Sequence, residues 1–575
     1  MKIFLLHLLG MMMMVHPMIS KAQFALEPIS LDQRIDHSDL IIEGEVVKRT
    51  AFINSKDQHI YTANQIKIYK IFKGFSSVEQ VILLSPGGVV GNIGESVCPS
   101  INLNVGTIGT FFLYKSDITN ESFVDSYQPF SGPQGCIHYD MTSNKAADVF
   151  NEFISFEDVY QKILRNTGKN YTNVNPLKIK PVSADKAAKP VILSVDPINV
   201  AAGIGDEIEI RGESFGNTKG IGKVAFLNAS TGDPFVEPVS SQYLLWSDTL
   251  IRVIVPSGAG SGSVRVEQDG VSIFIGLKIR FAQLNFGNSN PNPVLMIDDN
   301  DEGGFTWEMS NGFYGNTDAK NSLERAMKSW SDNTCINWEN GSPTVIDRDY
   351  KDGTNNIRFG VSGELPNGVL AHTRNYYSDC GTSTAYTTEI DLTFDPDRNW
   401  NYDAGSPGLN QYDIETIGVH ELGHAHQLGH VRDNVDFMSP TVGTGVMKRD
   451  LGTNNIEAGL FVMKHSAAVK ECGPESMTAQ AGCQLPMEVG EIVLPGAVSI
   501  YPNPFKESLI FQFESDHFET IRVVDAQGRT VYENNDIDGI SNHQWSVPQN
   551  LPNGMYIALL QNEFEISSKK VILSR

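Results

Sequence analysis

Alternating apolar and polar positions run through residues 23–169. Segments such as DLIIEGEVV, QIKIYKIF and GTFFLYK repeat with a period of two, which predicts half-buried β-strands. A helical pattern over residues 156–164 closes this region, and the polar stretch 170–189 is typical of a linker. We therefore expect an all-β barrel or sandwich, in which we find no catalytic constellation.

Short strands separated by glycine follow in residues 190–282. The segments PVILSVDP, GIGDEIEIRGESFG and LLWSDTLIRVIVPSGAGSGSVRV predict a second all-β module. They resemble the IPT/TIG family of immunoglobulin-like domains. That resemblance is carried by Pro197, Gly205, Gly212, Phe215, Gly216, Trp246, Ile251, Val255, Pro256 and Gly262. It implies a β-sandwich that acts as a spacer or in protein contact, and it implies no chemistry.

The pattern changes between residues 300 and 473. A helical stripe of Leu323, Ala326, Met327 and Trp330 precedes three strand-like segments, NNIRFGV, GVLAHTRNY and EIDLTFD. The apolar helical stretch LGTNNIEAGLFVM comes near the end of this region. This order predicts an α+β module.

The last region, residues 498–575, again alternates in strand-like segments between proline and glycine turns. By itself this pattern predicts a small all-β domain. It is similar to the type A C-terminal sorting domain of proteins exported by the bacterial type IX secretion system, and residues 501–504, 525–528 and 553–556 carry the similarity. The similarity implies the type IX secretion machinery as a partner and a protein that is secreted or attached to the cell surface.

Length, charge and the N-terminus agree with a string of exported modules. The chain has 575 residues, several times a typical domain, and 44 Lys and Arg against 68 Asp and Glu give a net charge of −24. This charge repels nucleic acid and anionic membranes. Residues 1–22 combine Lys2, an apolar run and a Ser20-Lys21-Ala22 exit, which predicts a cleavable secretory signal. We expect no transmembrane segment, because no later stretch is long enough to cross a bilayer.

The segment His420-Glu421-Leu422-Gly423-His424 carries the candidate chemistry. Asp413 is a suitable helix cap just before it, so the segment is expected to be helical. On a helix, residues four apart differ by about 40° and about 6 Å, which lets both imidazoles reach one metal ion. Zinc suits neutral imidazole, and a catalytic site keeps one position for water.

His430 can join this pair only if the helix ends, since a continuing helix would carry it about 15 Å beyond His420. Gly429 suits such a turn. The spacing of the three histidines resembles that of metzincin peptidases, which implies that His420, His424 and His430 hold zinc and that Glu421 is the general base. Metzincins have a left-handed glycine at the position of Gln427, so this glutamine departs from their pattern.

Met438 lies eight residues after His430, in the segment DFMSP. This resembles the Met-turn of metzincins, at the distance found in matrixins. The similarity to matrixins covers the module upstream as well. In that family the equivalent of His372 often belongs to a second zinc site, but Thr393 stands where another histidine ligand is needed. We therefore expect no second zinc and assign His372 to core packing or the rim of the site.

Six cysteines in an exported chain suggest disulfides. Proximity in sequence favours the pairs Cys98–Cys136, Cys335–Cys380 and Cys472–Cys483, although six cysteines allow 15 connectivities. An alternative role for Cys98 is an inhibitory thiolate on the zinc, as in latent matrixins. The segment ESVCPSI does not resemble that family's switch, so we prefer the disulfide.

These observations predict a secreted zinc endopeptidase that acts on proteins or peptides by metal-assisted amide hydrolysis. One alternative uses Glu457 as third ligand, as in gluzincins. Another is an adhesin or matrix-binding protein in which the N-terminal modules are the working parts. Residues 298–302 are a possible calcium site, although their spacing is not that of a dedicated calcium loop. We expect His426 to lie at the rim or surface. The substrate is not determined by the sequence.

Overall fold

The computed structural model describes two compact units, residues 1–483 and 484–575. Within them the described residues are 26–118, 123, 125–141, 143–177, 189–268, 271–286, 291–379, 384–433, 435–440, 442–468, 474–483, 498–513, 520–525, 529–535, 542–561 and 566–575. The predicted signal at residues 1–22 lies outside them, as do Cys380 and Cys472. The described chain is mostly β and spread over several sheets, in agreement with the multidomain prediction.

The N-terminal module is formed by residues 26–173. Its helices and strands are α1 (Leu31–His37), β1 (Leu40–Ile53), β2 (Ile60–Lys73), β3 (Gln80–Pro86), β4 (Gly88–Val90), β5 (Ile93–Cys98), β6 (Ile108–Lys115), β7 (Ser126–Pro129), a 3-10 turn (Gly132–Gly135), β8 (Cys136–Asp140), β9 (Lys145–Ala147), β10 (Glu152–Phe153), α2 (Phe156–Thr167) and β11 (Thr172–Asn173). Nine of these strands form one sheet, and the remaining two, β4 and β5, belong to a different sheet. The predicted period of two is visible in β2, where Ile66 and Ile68 are fully buried.

The two-sheet module is formed by residues 191–283. Its elements are β12 (Val191–Asp196), β13 (Asn199–Ala202), β14 (Glu207–Glu213), β15 (Lys223–Asn228), β16 (Gly232–Val236), a 3-10 turn (Ser240–Gln242), β17 (Tyr243–Trp246), β18 (Leu250–Ile254), β19 (Ala259–Glu267) and β20 (Val271–Gln283). One sheet has the order β12-β14-β18-β17, and the other has the order β13-β20-β19-β15-β16. Phe215 and Phe226 are fully buried in this module.

The histidine module is formed by residues 285–483. Its elements are β21 (Asn285–Phe286), β22 (Asn292–Pro293), β23 (Phe305–Met309), α3 (Asn311–Gly315), α4 (Thr317–Thr334), β24 (Trp338–Asn340), β25 (Asn355–Phe359), β26 (Ala371–Asp379), β27 (Ala385–Phe394), β28 (Trp400–Asn401), β29 (Tyr412–Asp413), α5 (Ile414–Ala425), β30 (Leu428–Gly429) and α6 (Thr453–Ala468). Trp330 of α4 is fully buried, and its indole donates a hydrogen bond to the Val419 carbonyl of α5 at 2.9 Å. The predicted helical stripe thus packs against the helix that carries the histidines.

The main sheet of the histidine module has the order β24-β23-β25-β27-β26-β5-β4. Its last two strands come from the N-terminal module. Strand β26 would otherwise be the edge of this sheet, and β5 pairs with it in antiparallel fashion from Thr373 opposite Cys98 to Ser378 opposite Ile93. An unpaired edge presents free backbone donors and acceptors, so β5 completes the hydrogen bonding of β26.

The structure pairs Cys335 with Cys483, 148 residues apart, and leaves Cys98 and Cys136 as free thiols. The predicted pairs Cys98–Cys136, Cys335–Cys380 and Cys472–Cys483 are therefore wrong. Proximity in sequence fails because β5 carries Cys98 into another sheet, while Cys136 stays buried in β8.

The C-terminal unit contains β31 (Val498–Tyr501), β32 (Ser508–Phe513), β33 (Thr520–Asp525), β34 (Thr530–Asn534), β35 (Asn542–Ser546), β36 (Gly554–Gln561) and β37 (Ile566–Leu573). They form a sheet of order β31-β32-β35 and a sheet of order β34-β33-β36-β37, around a core that includes Phe505, Phe511 and Trp545. Among the described helices of the whole chain, none is both long and apolar enough to cross a membrane.

Candidate metal centre

Helix α5 begins at a strong cap. The Asp413 carboxylate accepts hydrogen bonds from the Thr416 amide at 3.1 Å and from the Thr416 hydroxyl at 2.6 Å. Arg449 donates to the same carboxylate at 2.6 and 2.8 Å. The predicted cap is confirmed, and it sets the start of the helix that presents His420 and His424.

Three imidazoles converge beside this helix. The Nε2 atom of His430 lies 3.1 Å from Nε2 of His424 and 3.4 Å from Nε2 of His420. Two imidazole nitrogens bound to one tetrahedral zinc ion are ~3.3 Å apart when the Zn–N bonds have their usual length. The separations of His430 from His424 and from His420 therefore both suit one shared zinc ion.

The outward nitrogen of each ring has its own partner. The Nδ1 atom of His420 donates to the Phe437 carbonyl at 3.0 Å, and Nδ1 of His424 donates to the Leu428 carbonyl at 2.8 Å. Nδ1 of His430 lies 3.0 Å from the Ser230 hydroxyl. With Nδ1 protonated in each ring, the Nε2 lone pairs point to the common centre.

Burial keeps these imidazoles neutral. It lowers the pKa of His420 to about 4 and that of His424 to about 3, where the nearby His420 lowers it further. Burial, together with the two neighbouring histidines, holds the pKa of His430 well below its ordinary value. Neutral imidazole is the form that binds zinc, so the site has the required protonation at physiological pH.

The chain leaves the helix through Gln427, whose φ is +64°. The left-handed conformation expected at this position is confirmed, and it costs a residue with a Cβ about 1–2 kcal/mol. The side-chain amide of Gln427 donates through Nε2 to Oδ1 of Asn375 and to the Ala425 carbonyl, both at 3.1 Å. These bonds hold the buried glutamine in its left-handed turn.

Met438 lies under the histidine helix. It is 2 % exposed, and a Cβ on Gly423 would come within 2.3 Å of its sulfur, so a side chain at residue 423 would displace the methionine. Its amide donates to Asp436 at 2.8 Å, and its carbonyl accepts from Val431 at 3.1 Å. The turn around Met438 thus contacts both the helix and the loop of the third histidine.

Glu421 is fully buried on the same helix. One carboxylate oxygen accepts a hydrogen bond from the Thr373 hydroxyl at 2.7 Å, and the other oxygen has no hydrogen-bond partner among the described residues. Burial raises the pKa of Glu421 to about 8, although the Thr373 bond opposes that rise. Thr373 stabilises the carboxylate in one orientation and leaves one oxygen available.

Cys98 enters this centre from the N-terminal module. Its sulfur lies 3.2 Å from Nε2 of His424 and 3.8 Å from Nε2 of His430. Among the described residues, Cys98, His424 and His430 form a group whose ligand atoms all lie within 4.8 Å of one another. His420 is not a member of that group, so the sulfur lies beside the His424 and His430 side of the centre.

Other candidate residues lie elsewhere. The prediction of a rim or surface position for His426 is wrong, because this residue is fully buried between Trp330 and Trp338. The Glu457 carboxylate forms an ion pair with Arg280 at 3.4 Å and is not part of the described metal group.

His372 is buried and lies 2.9 Å from Asp349, which also pairs with Arg374. Thr393 is its register partner on β27. His372 thus belongs to a buried network of charges. At residues 298–302, the Asp298 carboxylate accepts the Gly303 amide at 2.8 Å, and the possible calcium site stays a prediction.

Two residues of the site carry no motif in the sequence that marks them as functional. Thr373 follows His372 on β26 and was visible only as a strand residue. Ser230 is 200 residues from His430 and lies in a module that the sequence presents as a spacer. Both act through contacts that the local pattern does not encode.

The comparisons with known proteins now identify the domain. Residues 301–458 match the Matrixin family, and residues 499–574 match the secretion system C-terminal sorting domain. The chain therefore carries the domain of the matrixin zinc metalloendopeptidases. The sorting domain indicates type IX secretion to the cell surface or the extracellular space.

Individual relatives are more distant. A curated protein, Metalloendoproteinase 2-MMP of Arabidopsis thaliana, is 29 % identical over 147 residues, which cover 24 % of this chain and 35 % of the relative. The chain thus spans about a third of the length of that relative. Solved structures include the four N-terminal Ig domains of Dscam1 isoform 6.9 (9 % identity, 93 % of this chain, 99 % of that chain, TM-score 0.11). They also include the BSP domain of a biofilm associated protein (8 % identity, 93 % of this chain, 95 % of that chain, TM-score 0.12). Neither likeness carries an argument.

Proposed function

We propose that this chain is a secreted endopeptidase in which His420, His424 and His430 hold one zinc ion and Glu421 is the general base. The convergence of three neutral Nε2 atoms at 3.1 and 3.4 Å carries this proposal. We further propose the predicted module boundaries, with an IPT/TIG-like sandwich over residues 190–282, a metzincin domain over 300–473 and a sorting domain over 498–575. Proteins or peptides are the substrates, and the type IX machinery is the partner in export.

When bound, zinc supplies Lewis-acid polarisation of the scissile carbonyl and lowers the pKa of a water molecule toward neutrality. Glu421 takes the proton of that water and passes it to the leaving amine. Its orientation supports this role, since Thr373 holds one carboxylate oxygen and leaves the other without a partner among the described residues. The turn around Met438 supports the base of the site.

The full chain is held latent by its N-terminal module. Strand β5 lies along β26 in the groove beside the histidines, and an extended substrate would need the same strand edge for β-augmentation. The Cys98 sulfur, 3.2 Å from Nε2 of His424, is close enough to this nitrogen to compete with a water molecule for a metal ion held there. Burial and the nearby Glu421 raise the pKa of this thiol, so it would have to lose its proton in order to act as a zinc ligand.

The test compares zinc content and peptidase activity in one preparation. The secreted chain is incubated with a peptide library before and after limited proteolysis, with and without chelator. We expect chelator-sensitive cleavage that rises after proteolysis. Zinc binding without peptide cleavage in either form would contradict the proposed function.

Two alternatives from the sequence have their own tests. The gluzincin alternative predicts that Glu457→Ala loses zinc and His430→Ala keeps it, and we expect the reverse. The adhesin alternative stays a prediction. It would be supported if a chain lacking residues 23–282 lost surface binding but kept cleavage.

A further inference from the structure

The loop that carries the third histidine is bonded to the two-sheet module. At the end of β20, Ala282 and Gln283 pair with Gly429 and Leu428 of the short strand β30. This pairing extends a sheet of the two-sheet module by two residues of the histidine module. The loop therefore has a template outside its own module.

Backbone bonds continue on both sides of that strand. The amide of Leu284 donates to the carbonyl of Gln427 at 2.9 Å, and the amide of Ser261 donates to the carbonyl of Val431 at 3.0 Å. Residues 427, 428, 429 and 431 are thus all held by the segment that contains the two-sheet module or follows directly from it. These backbone bonds do not include His430, the remaining residue of 427–431. Its imidazole side chain contacts the two-sheet module instead.

That contact is made by Ser230, in the turn between β15 and β16. Its hydroxyl lies 3.0 Å from Nδ1 of His430. The turn is ordered by Asn228, whose side-chain oxygen accepts the amides of Ser230 at 2.9 Å and Thr231 at 3.1 Å. Asn228 is 9 % exposed, so the hydroxyl is presented from a buried, hydrogen-bonded turn.

The three histidines differ in which part of the chain supplies the hydrogen-bond partner of their Nδ1 atom. His420 and His424 are oriented by carbonyl groups of their own module, close to the helix. His430 is oriented by a side chain 200 residues away. The left-handed Gln427 lies at the start of the same loop, so contacts with the two-sheet module also offset the cost of this conformation.

We propose that the two-sheet module is a structural part of the metal centre and that Ser230 is a positioning residue for His430. This inference rests on the proposed function. The Nδ1–H group of His430 donates to the Ser230 hydroxyl, which fixes the ring orientation and leaves the Nε2 lone pair directed at the metal. The module is thus needed for zinc affinity, beyond any role as a spacer.

The experiment measures zinc affinity by competition with a chromophoric chelator, using the full secreted chain. All variants carry Cys98→Ala so that the thiol does not compensate for a weakened ligand. Loss of an outer-shell partner typically weakens metal binding about 10–100-fold, and we expect this for Ser230→Ala. Ser230→Thr retains a hydroxyl and should restore most of the affinity.

Ser247→Ala is the matched control, because its hydroxyl lies in the same module but, among the described residues, bonds the backbone of residue 250 and not the histidine loop. It should bind zinc like the parent. Thermal unfolding without metal should be the same for Ser230→Ala and Ser230→Thr, which separates ring positioning from packing.

Equal zinc affinity of the parent and Ser230→Ala would overturn the inference while leaving the proposed function intact. Equal weakening in Ser230→Ala, Ser230→Thr and Ser247→Ala would also overturn it, because the effect would then be one of packing. A parent chain that binds no zinc would overturn the proposed function itself.

Discussion

The N-terminal module and the two-sheet module both contact the histidine centre, but in opposite ways. The first places β5 in the groove and the Cys98 sulfur 3.2 Å from His424. The second supports His430 from its outer side through Ser230 at 3.0 Å. We propose that the first module obstructs the centre and that the second supports it. Two all-β modules with similar strand patterns can have contrary effects on one site, and the contact atoms decide which effect each has.

The largest expected effect comes from removing Glu421, the proposed general base of the site that both modules contact. Glu421→Ala should lower kcat by about 10²–10⁴-fold, the usual contribution of acid–base catalysis. Zinc content should stay at the parent level, because Glu421 is not a ligand. Activity and zinc are measured on the proteolysed chain, with Glu421→Asp as the control that keeps a carboxylate. Parent-like turnover in Glu421→Ala would refute the assignment.

A buried ion pair joins the N-terminal module to the histidine module. The two-sheet module contacts residues 427–431 through backbone hydrogen bonds and Ser230. Glu95 of β5 pairs with Arg374 of β26, and their side chains are 1 % and 9 % exposed. Losing one partner of such a pair costs about 3–5 kcal/mol. Glu95→Gln should therefore loosen β5 and speed proteolytic release of the N-terminal module. Glu209→Gln breaks an exposed pair with Arg211 and should change stability by less than about 1 kcal/mol.

The same ion pair predicts a pH dependence. Burial alone would raise the pKa of Glu95, but Arg374 and His59 hold it below the ordinary value of 4.5. A carboxyl with a lowered pKa contributes stability above about pH 4.5, and this is lost as the pH falls through the folded-state value. Acid should thus expose the N-terminal module to protease. Unchanged protection from pH 7 to pH 3 would contradict the prediction.

A smaller effect is expected from the thiol alone. Cys98→Ala should raise the activity of the uncleaved chain by about tenfold, which corresponds to about 1.4 kcal/mol of lost inhibition, because β5 still fills the groove. Cys136→Ala removes the second free thiol among the described residues, which is buried in β8 and is not part of the described metal group. It should leave activity unchanged. If Cys98→Ala also leaves activity unchanged, latency does not depend on the sulfur.

The smallest effect concerns the turn that the two-sheet module supports. Gln427→Gly relieves a left-handed residue but loses two hydrogen bonds at 3.1 Å. Because these terms are each about 1 kcal/mol, the free energy of unfolding should change by less than about 1 kcal/mol. Gln427→Ala loses the bonds without the relief and should be the less stable variant. Equal unfolding midpoints for the two variants would contradict this account.

The local features of the site were predictable from the sequence. The helix α5, its cap at Asp413 and the left-handed turn at Gln427 follow from short-range rules, because a cap, a helical period and a chain reversal each involve neighbouring residues. The strand patterns of the all-β modules follow from the period of two in the same way. The family resemblance to matrixins was also carried by contiguous motifs.

The tertiary structure alone decided which distant residues meet. Cys98 lies 326 residues from His424, Ser230 lies 200 from His430, and Cys335 pairs with Cys483 across 148 residues. The first two contacts depend on β5 and β20 pairing with strands of another module, whereas the disulfide joins two distant positions of the histidine module itself. The sequence by itself determined the chemistry of the histidine helix through local periodicity. The long-range pairing of strand edges determined which module blocks that chemistry and which one supports it.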